Sequence, residues 1–115
     1  MAGMLLLLGI GPAFAHAFLD RAEPRVGSTV RSSPARVRVW FTEDLEPAFS
    51  TLEVVNERGE RVDEGAPESD PASRALLQVP LKPLGPGLYR VKWRVLSVDT
   101  HVTEGDFSFR VAGPP

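Results

Sequence analysis

The sequence contains no cysteine, so disulfides, thiolate metal sites and thiol catalysis are all excluded and the fold has to be held by packing alone. Methionine is nearly as scarce: Met1 and Met4 are the only two, and the chain from residue 16 onward has no sulfur of any kind. Charge is missing from the first 15 residues, which leaves all 13 basic and 15 acidic side chains to the rest. Histidine occurs only at positions 16 and 101, so no Ser-His-Asp arrangement has independent support. The net charge of −2 is unremarkable and gives no sign of a nucleic-acid or polyanion partner.

The uncharged stretch, Met1 to Ala15, is rich in Leu and ends in Ala13-Phe14-Ala15, the small-x-small pattern that signal peptidase accepts. At that length it falls short of the roughly 20 apolar residues needed to span a bilayer, which favours an export signal over an anchor. Its only positive group is the terminal amine, where such signals usually carry Lys or Arg. Cleavage after Ala15 would leave residues 16–115, enough for one compact domain with a core and too few for two.

Beyond the leader, Pro and Gly interrupt every candidate helical stripe, whereas several segments alternate with a period of two. Arg36 to Phe41 alternates basic and apolar residues, Ser50 to Asn56 follows, and Glu57-Arg58-Gly59-Glu60 reads as a turn before a return strand starting at Arg61-Val62. Asp63 to Ser73 is acidic and reads as a surface loop. Ala75 to Val79 and Leu88 to Ser97 come next, the latter with Tyr89, Val91, Trp93 and Val95 on one face and Arg90, Lys92 and Arg94 on the other. Asp106 to Val111 closes the set, with Phe107, Phe109 and Val111 inward. With a further strand near Val26 to Val30, the count is about seven, which predicts an all-β, Ig-like β-sandwich. Trp40 and Trp93 read as core residues, and Glu43 and Asp44 as a solvated strand end.

The two histidines carry the candidate chemistry. After cleavage His16 would be the first residue, and its free α-amine and Nδ1 could grip one metal as a six-membered chelate. The amine and imidazole have reference pKa values of about 7.7–8.0 and 6.5, so a strongly nitrogen-binding metal can displace both protons at neutral pH. Cu(II) tops the divalent affinity order and suits square-planar nitrogen and oxygen donors. His101 follows Asp99 by two, a spacing that in extended chain points both side chains the same way. Together with His16 they would offer three nitrogens and one oxygen.

These residues carry a family resemblance. His16 at the cleavage point, Glu23-Pro24-x-x-Gly27-Ser28, Phe41-Thr42-Glu43, and Gly87-x-Tyr89-x-Val91-x-Trp93-Arg94-Val95-x-Ser97-x-Asp99-x-His101 leading to Gly105 and Phe107-x-Phe109 resemble the periplasmic copper-binding proteins of the CopC family. The resemblance implies a Greek-key β-barrel or sandwich with a high-affinity Cu(II) site at the amino terminus. His16 would be its bidentate ligand, Asp99 and His101 would complete the plane, and Glu43 would lie at or just behind the copper, either holding the terminal amine or serving as an additional ligand. It also implies a periplasmic or otherwise extracytoplasmic copper-tolerance protein that delivers to a CopD-like membrane protein, with a monomer as the default state.

Some members of that family have a second, Cu(I) site in a Met-rich loop. The corresponding stretch here, Asn56 to Ser73, has neither Met nor His, so a single Cu(II) site is expected. Two other readings fit parts of the pattern. A histidine-brace copper oxygenase also starts from an N-terminal His plus a second His, although Asp99 would fill the position that oxygen needs. An Ig-like scaffold module with incidental histidines would need no metal.

Overall fold

The computed structural model describes residues 17–114. The expected leader, Met1 to Ala15, and His16 lie outside the described residues. Among the described residues eight strands are present in chain order: β1 (Leu19–Glu23), β2 (Thr29–Val30), β3 (Arg36–Phe41), β4 (Thr51–Val55), β5 (Glu68–Asp70), β6 (Ser73–Pro80), β7 (Gly87–Leu96) and β8 (Val102–Val111), with one turn of 3-10 helix at Pro47–Phe49 between β3 and β4. They form two four-stranded sheets, ordered β1-β3-β6-β5 and β2-β8-β7-β4. All pairings are antiparallel except the short parallel contact of β2 with β8.

The all-β expectation holds, and its reason is the one the alternation implied. Every second residue of each long strand enters a single core shared by both sheets: Val37, Val39 and Phe41 from β3, Leu77 and Val79 from β6, Leu52 and Val54 from β4, Tyr89, Val91 and Val95 from β7, and Phe107, Phe109 and Val111 from β8. Each such side chain contributes about 1.5–3 kcal/mol on full burial, which is how a domain without disulfides is held. Arg90, Lys92 and Arg94 are exposed on the opposite face of β7, as expected. There Glu53 and Asp106 flank Lys92 across the sheet, and Glu104 faces Arg94 at 4.0 Å.

The strand count differs from expectation in informative places. β1 does not alternate because its pairing with β3 slips by one residue between Leu19 and Arg21. That bulge lets Leu19 and Ala22, three positions apart, both face the core. β5 lies within the stretch read as a loop; its Glu68-Ser69-Asp70 has no apolar residue and joins the sheet edge through the backbone. Arg61 contributes only an isolated bridge to Val55 rather than a return strand.

Trp40 is not a core residue. Val37, Val39 and Phe41 take the inner positions, so Trp40 faces outward with Arg36 and Arg38, half-buried. The Arg21 guanidinium lies 3.7 Å from its ring centroid and that of Arg38 4.9 Å, covering the indole with cations. Trp93 does pack against the core, its ring edge-on to Phe41 at a centroid distance of 5.2 Å. Its cross-strand partner is Gly105, where an added Cβ would meet Trp93 Cζ2 at 2.6 Å, so the indole lies where any larger residue would stand.

Asp63, expected on an acidic surface loop, is buried instead. Its Oδ2 accepts the Val54 backbone N–H at 2.7 Å and Arg61 Nε at 3.1 Å, and its Oδ1 accepts Arg61 Nη2 at 2.7 Å. The carboxylate thereby covers the free edge of β4, which would otherwise expose an unpaired donor. Asp63→Ala should leave that N–H without an acceptor and cost about 1–3 kcal/mol. An unchanged urea midpoint for this variant would show that Asp63 does not hold the β4 edge.

Candidate metal centre

β7 and β8 pair from Gly87↔Val111 to Leu96↔Val102 without a shift, which leaves Ser97 to His101 as the tight connection at one end of the molecule. Ser97 donates its backbone N–H to the His101 carbonyl at 3.0 Å, and Thr100 donates to the Ser97 carbonyl at 2.9 Å. Thr100 sits at φ 72°, in the left-handed region that reverses the chain. Asp99 and His101 meet here, with His101 Nδ1 3.3 Å from Asp99 Oδ1. The convergence expected from an extended i, i+2 spacing is therefore produced by a turn.

The pair is accessible, with 39% of the Asp99 and 46% of the His101 side chain exposed. The Ser97 hydroxyl donates to Asp99 Oδ1 and accepts the His101 N–H at 3.3 Å. It is the main reason that the Asp99 carboxyl is held below its ordinary value of 3.8; desolvation opposes the shift, and the neighbouring His101 adds to it. Because the folded value is the lower one, the stabilisation from this contact is present above the ordinary carboxylate value and is lost only as pH falls through the depressed one. Asp99 therefore stays ionised through mildly acidic and neutral solution. A hydrogen bond donated by His101 Nδ1–H to the Asp99 carboxylate selects the imidazole tautomer whose lone pair is on Nε2.

The start of the described chain reaches the same end. The Ala17 carbonyl accepts Thr103 Oγ1 at 2.6 Å, two residues beyond His101. Phe18 donates its N–H to Thr42 Oγ1 at 2.9 Å, and Thr42 returns its own N–H to the Phe18 carbonyl at 2.8 Å. Ala17 is fully buried, so the arm is anchored on two sides. His16, the next residue toward the amino terminus, lies outside the described residues.

Glu43 follows Thr42 on the segment leaving β3 and is half-buried. That segment is tied to the loop by the Val98 N–H, which donates to the Asp44 carbonyl at 3.0 Å, and by a bridge between Leu45 and Ser97. Among the described residues no three of His, Asp and Glu cluster closely enough to hold a metal, so Asp99 and His101 stand as a pair. Ser97, Thr42 and Thr103 were not among the candidate residues. Ser97 and Thr42 both stand inside the motifs that carry the resemblance, and Ser97 also continues the inward-facing register of β7 two residues before Asp99, whereas Thr103 had no sequence signal.

Two sheets closed on one core, with a carboxylate–imidazole pair on an end loop beside the anchored amino-terminal arm, define an all-β domain equipped with nitrogen and oxygen donors. The chain belongs to the CopC family: the CopC domain model matches residues 19–112. It is 37% identical over 112 residues to copper resistance protein C of Xanthomonas campestris pv. juglandis, covering 90% of this chain and 86% of that protein. It is 33% identical over 111 residues to the copper transport protein CutJ of Bacillus subtilis, covering 94% of this chain but only 20% of that much longer protein. The crystal structure of CopC from Methylosinus trichosporium OB3b superposes with a TM-score of 0.81 at 32% identity, covering 87% of this chain and 97% of that one. The chain is thus a member of a copper resistance and transport family.

Thr103→Val removes the hydroxyl that anchors Ala17. The loss of one such bond, about 1 kcal/mol, should speed hydrogen exchange of the Phe18 amide roughly fivefold. Unchanged exchange at Phe18 would mean that the arm is held by other contacts.

Proposed function

We propose that the chain is an exported, non-catalytic carrier that binds one Cu(II) ion and contributes to copper tolerance or supply. Removal of Met1 to Ala15 leaves His16 as the first residue of the mature chain, and its amine and imidazole chelate the metal. Asp99 and His101 supply the remaining oxygen and nitrogen, and Glu43 stands behind the site toward the terminal amine. The observation that carries this reading is the Thr103–Ala17 hydrogen bond, which ties the residue after His16 to the strand that begins beside His101.

The donor set suits cupric ion, since nitrogen and oxygen ligands in a plane match its preference. The stretch from Asn56 to Ser73 has no thioether or imidazole, so the carrier has no Cu(I) site. Four filled positions leave none for oxygen activation, which disfavours the oxygenase reading. The carrier works as a monomer in the periplasm or another extracytoplasmic space and hands copper to a CopD-like membrane protein. Val98 and Val102, both exposed, lie on either side of the Asp99–His101 pair in sequence and give an acceptor an apolar surface to approach. Among the described residues no helix is long and apolar enough to cross a membrane.

Cu(II) titration of the mature chain tests the chelate. One alanine inserted ahead of His16 should weaken binding by more than the roughly 10–100-fold that loss of an outer partner costs. Equal affinity with and without the insertion would remove the terminal chelate from the site.

Affinity should also fall with pH through the range of about 8 to 6, where the amine and imidazoles take up protons in competition with the metal. Asp99, already ionised there, adds nothing to that slope. Affinity that stays flat over this range would contradict the nitrogen ligands.

A further inference from the structure

Ser97 is the polar residue for which core packing gives no reason. It continues the inward register of Tyr89, Val91, Trp93 and Val95 and is fully buried, at a position where an apolar side chain would fill the same space. A buried hydroxyl is costly unless it is bonded. Here the bonds run to the two proposed ligands: Ser97 Oγ donates to Asp99 Oδ1 and accepts the His101 N–H. The backbone adds a third tie, from Ser97 N–H to the His101 carbonyl, and the bridge to Leu45 fixes Ser97 from the neighbouring segment.

The consequence falls on Asp99. Its side chain projects from a turn and is 39% exposed, so without a tether it would rotate freely and pay ordering entropy on meeting a metal. Ser97 holds Oδ1, which also faces His101 Nδ1, so Oδ2 is the oxygen that neither of these two contacts engages. We infer that Ser97 is a positioning residue for the metal site, fixing the Asp99 carboxylate so that it presents one oxygen, Oδ2, to the metal. A single oxygen fits the four-donor plane of Cu(II), whereas a freely turning carboxylate could offer both oxygens and spoil that plane. This rests on the Cu(II) reading above.

The test uses the mature chain beginning at His16, with Cu(II) affinity measured by chelator competition for the wild type, Ser97→Ala, Ser97→Thr, Asp99→Ala and the Ser97→Ala/Asp99→Ala double variant. Ser97→Ala should weaken binding by roughly 10–100-fold and change the Cu(II) electron paramagnetic resonance hyperfine splitting, as loss of an outer partner does. Ser97→Thr, which keeps the hydroxyl, should restore both. In the Asp99→Ala background Ser97→Ala should change affinity by less than about twofold, the scatter expected when one residue acts through the other. Wild-type affinity and spectrum in Ser97→Ala would overturn the inference, and so would an equal loss with and without Asp99, which would mark a general effect on the fold. If Ser97→Ala does not fold, the comparison of Ser97→Cys with Ser97→Thr decides: the weak thiol donor should bind more weakly than the hydroxyl, and equal binding overturns the inference. Should Asp99→Ala bind like the wild type, the ligand set itself fails and the inference with it.

Discussion

The placement of the loop that carries Asp99 and His101 depends on the unbroken ladder between β7 and β8. Because the two strands stay in register along their whole length, the loop that joins them has a single length and a single exit direction. A slip of one residue would turn Ser97 outward and reverse the faces of Trp93 and Gly105, which fit only because the glycine leaves room for the indole. Tyr89, Val91, Val95, Phe107 and Phe109 resist such a slip, since each would exchange a buried position for an exposed one. The core thus sets the position of Asp99 and His101 without touching them.

In a chain without sulfur beyond Met4, any metal site would have to be built from nitrogen and oxygen donors, and such donors need support from second partners. Hydroxyls do that work throughout. Ser97 holds the loop, Thr42 and Thr103 hold the arm, and all three lie at the same end of the domain. The acidic groups elsewhere are used differently: Asp63 is spent on a strand edge, and Glu53, Asp106 and Glu104 balance the basic outer face of β7.

Much of this was legible in the sequence, and the exceptions have physical causes. β3, β7 and the Asp106 to Val111 half of β8 were readable because their inner faces are filled at strict period two, whereas the first half of β8, from Val102, was not, since Thr103 and Gly105 stand there in place of large apolar residues. β1 was hidden by the bulge after Leu19, which breaks that period, and β5 by an edge position that asks nothing apolar of Glu68, Ser69 and Asp70. Trp40 was misassigned because two large apolar residues adjoin at the end of β3, and only the pairing decides that Phe41 goes inward. The Asp99–His101 pair was anticipated, although a turn with left-handed Thr100 rather than extended chain joins it. The hydroxyl anchors were not, since Thr42 and Thr103 reach partners 24 and 86 residues away and spacing carries no trace of such contacts.

The sheet margins have a consequence for colloidal behaviour. Of the four outermost strands, β1 is kinked by its bulge and carries Asp20, Arg21 and Glu23, β2 has two residues, β5 has three, and β4 is screened by the stretch that ends at Asp63. None offers a long, flat row of free amides and carbonyls on which a neighbouring chain could crystallise into fibrils. In a β-rich domain lacking covalent cross-links, margins of this kind work against the seeding of intermolecular sheets.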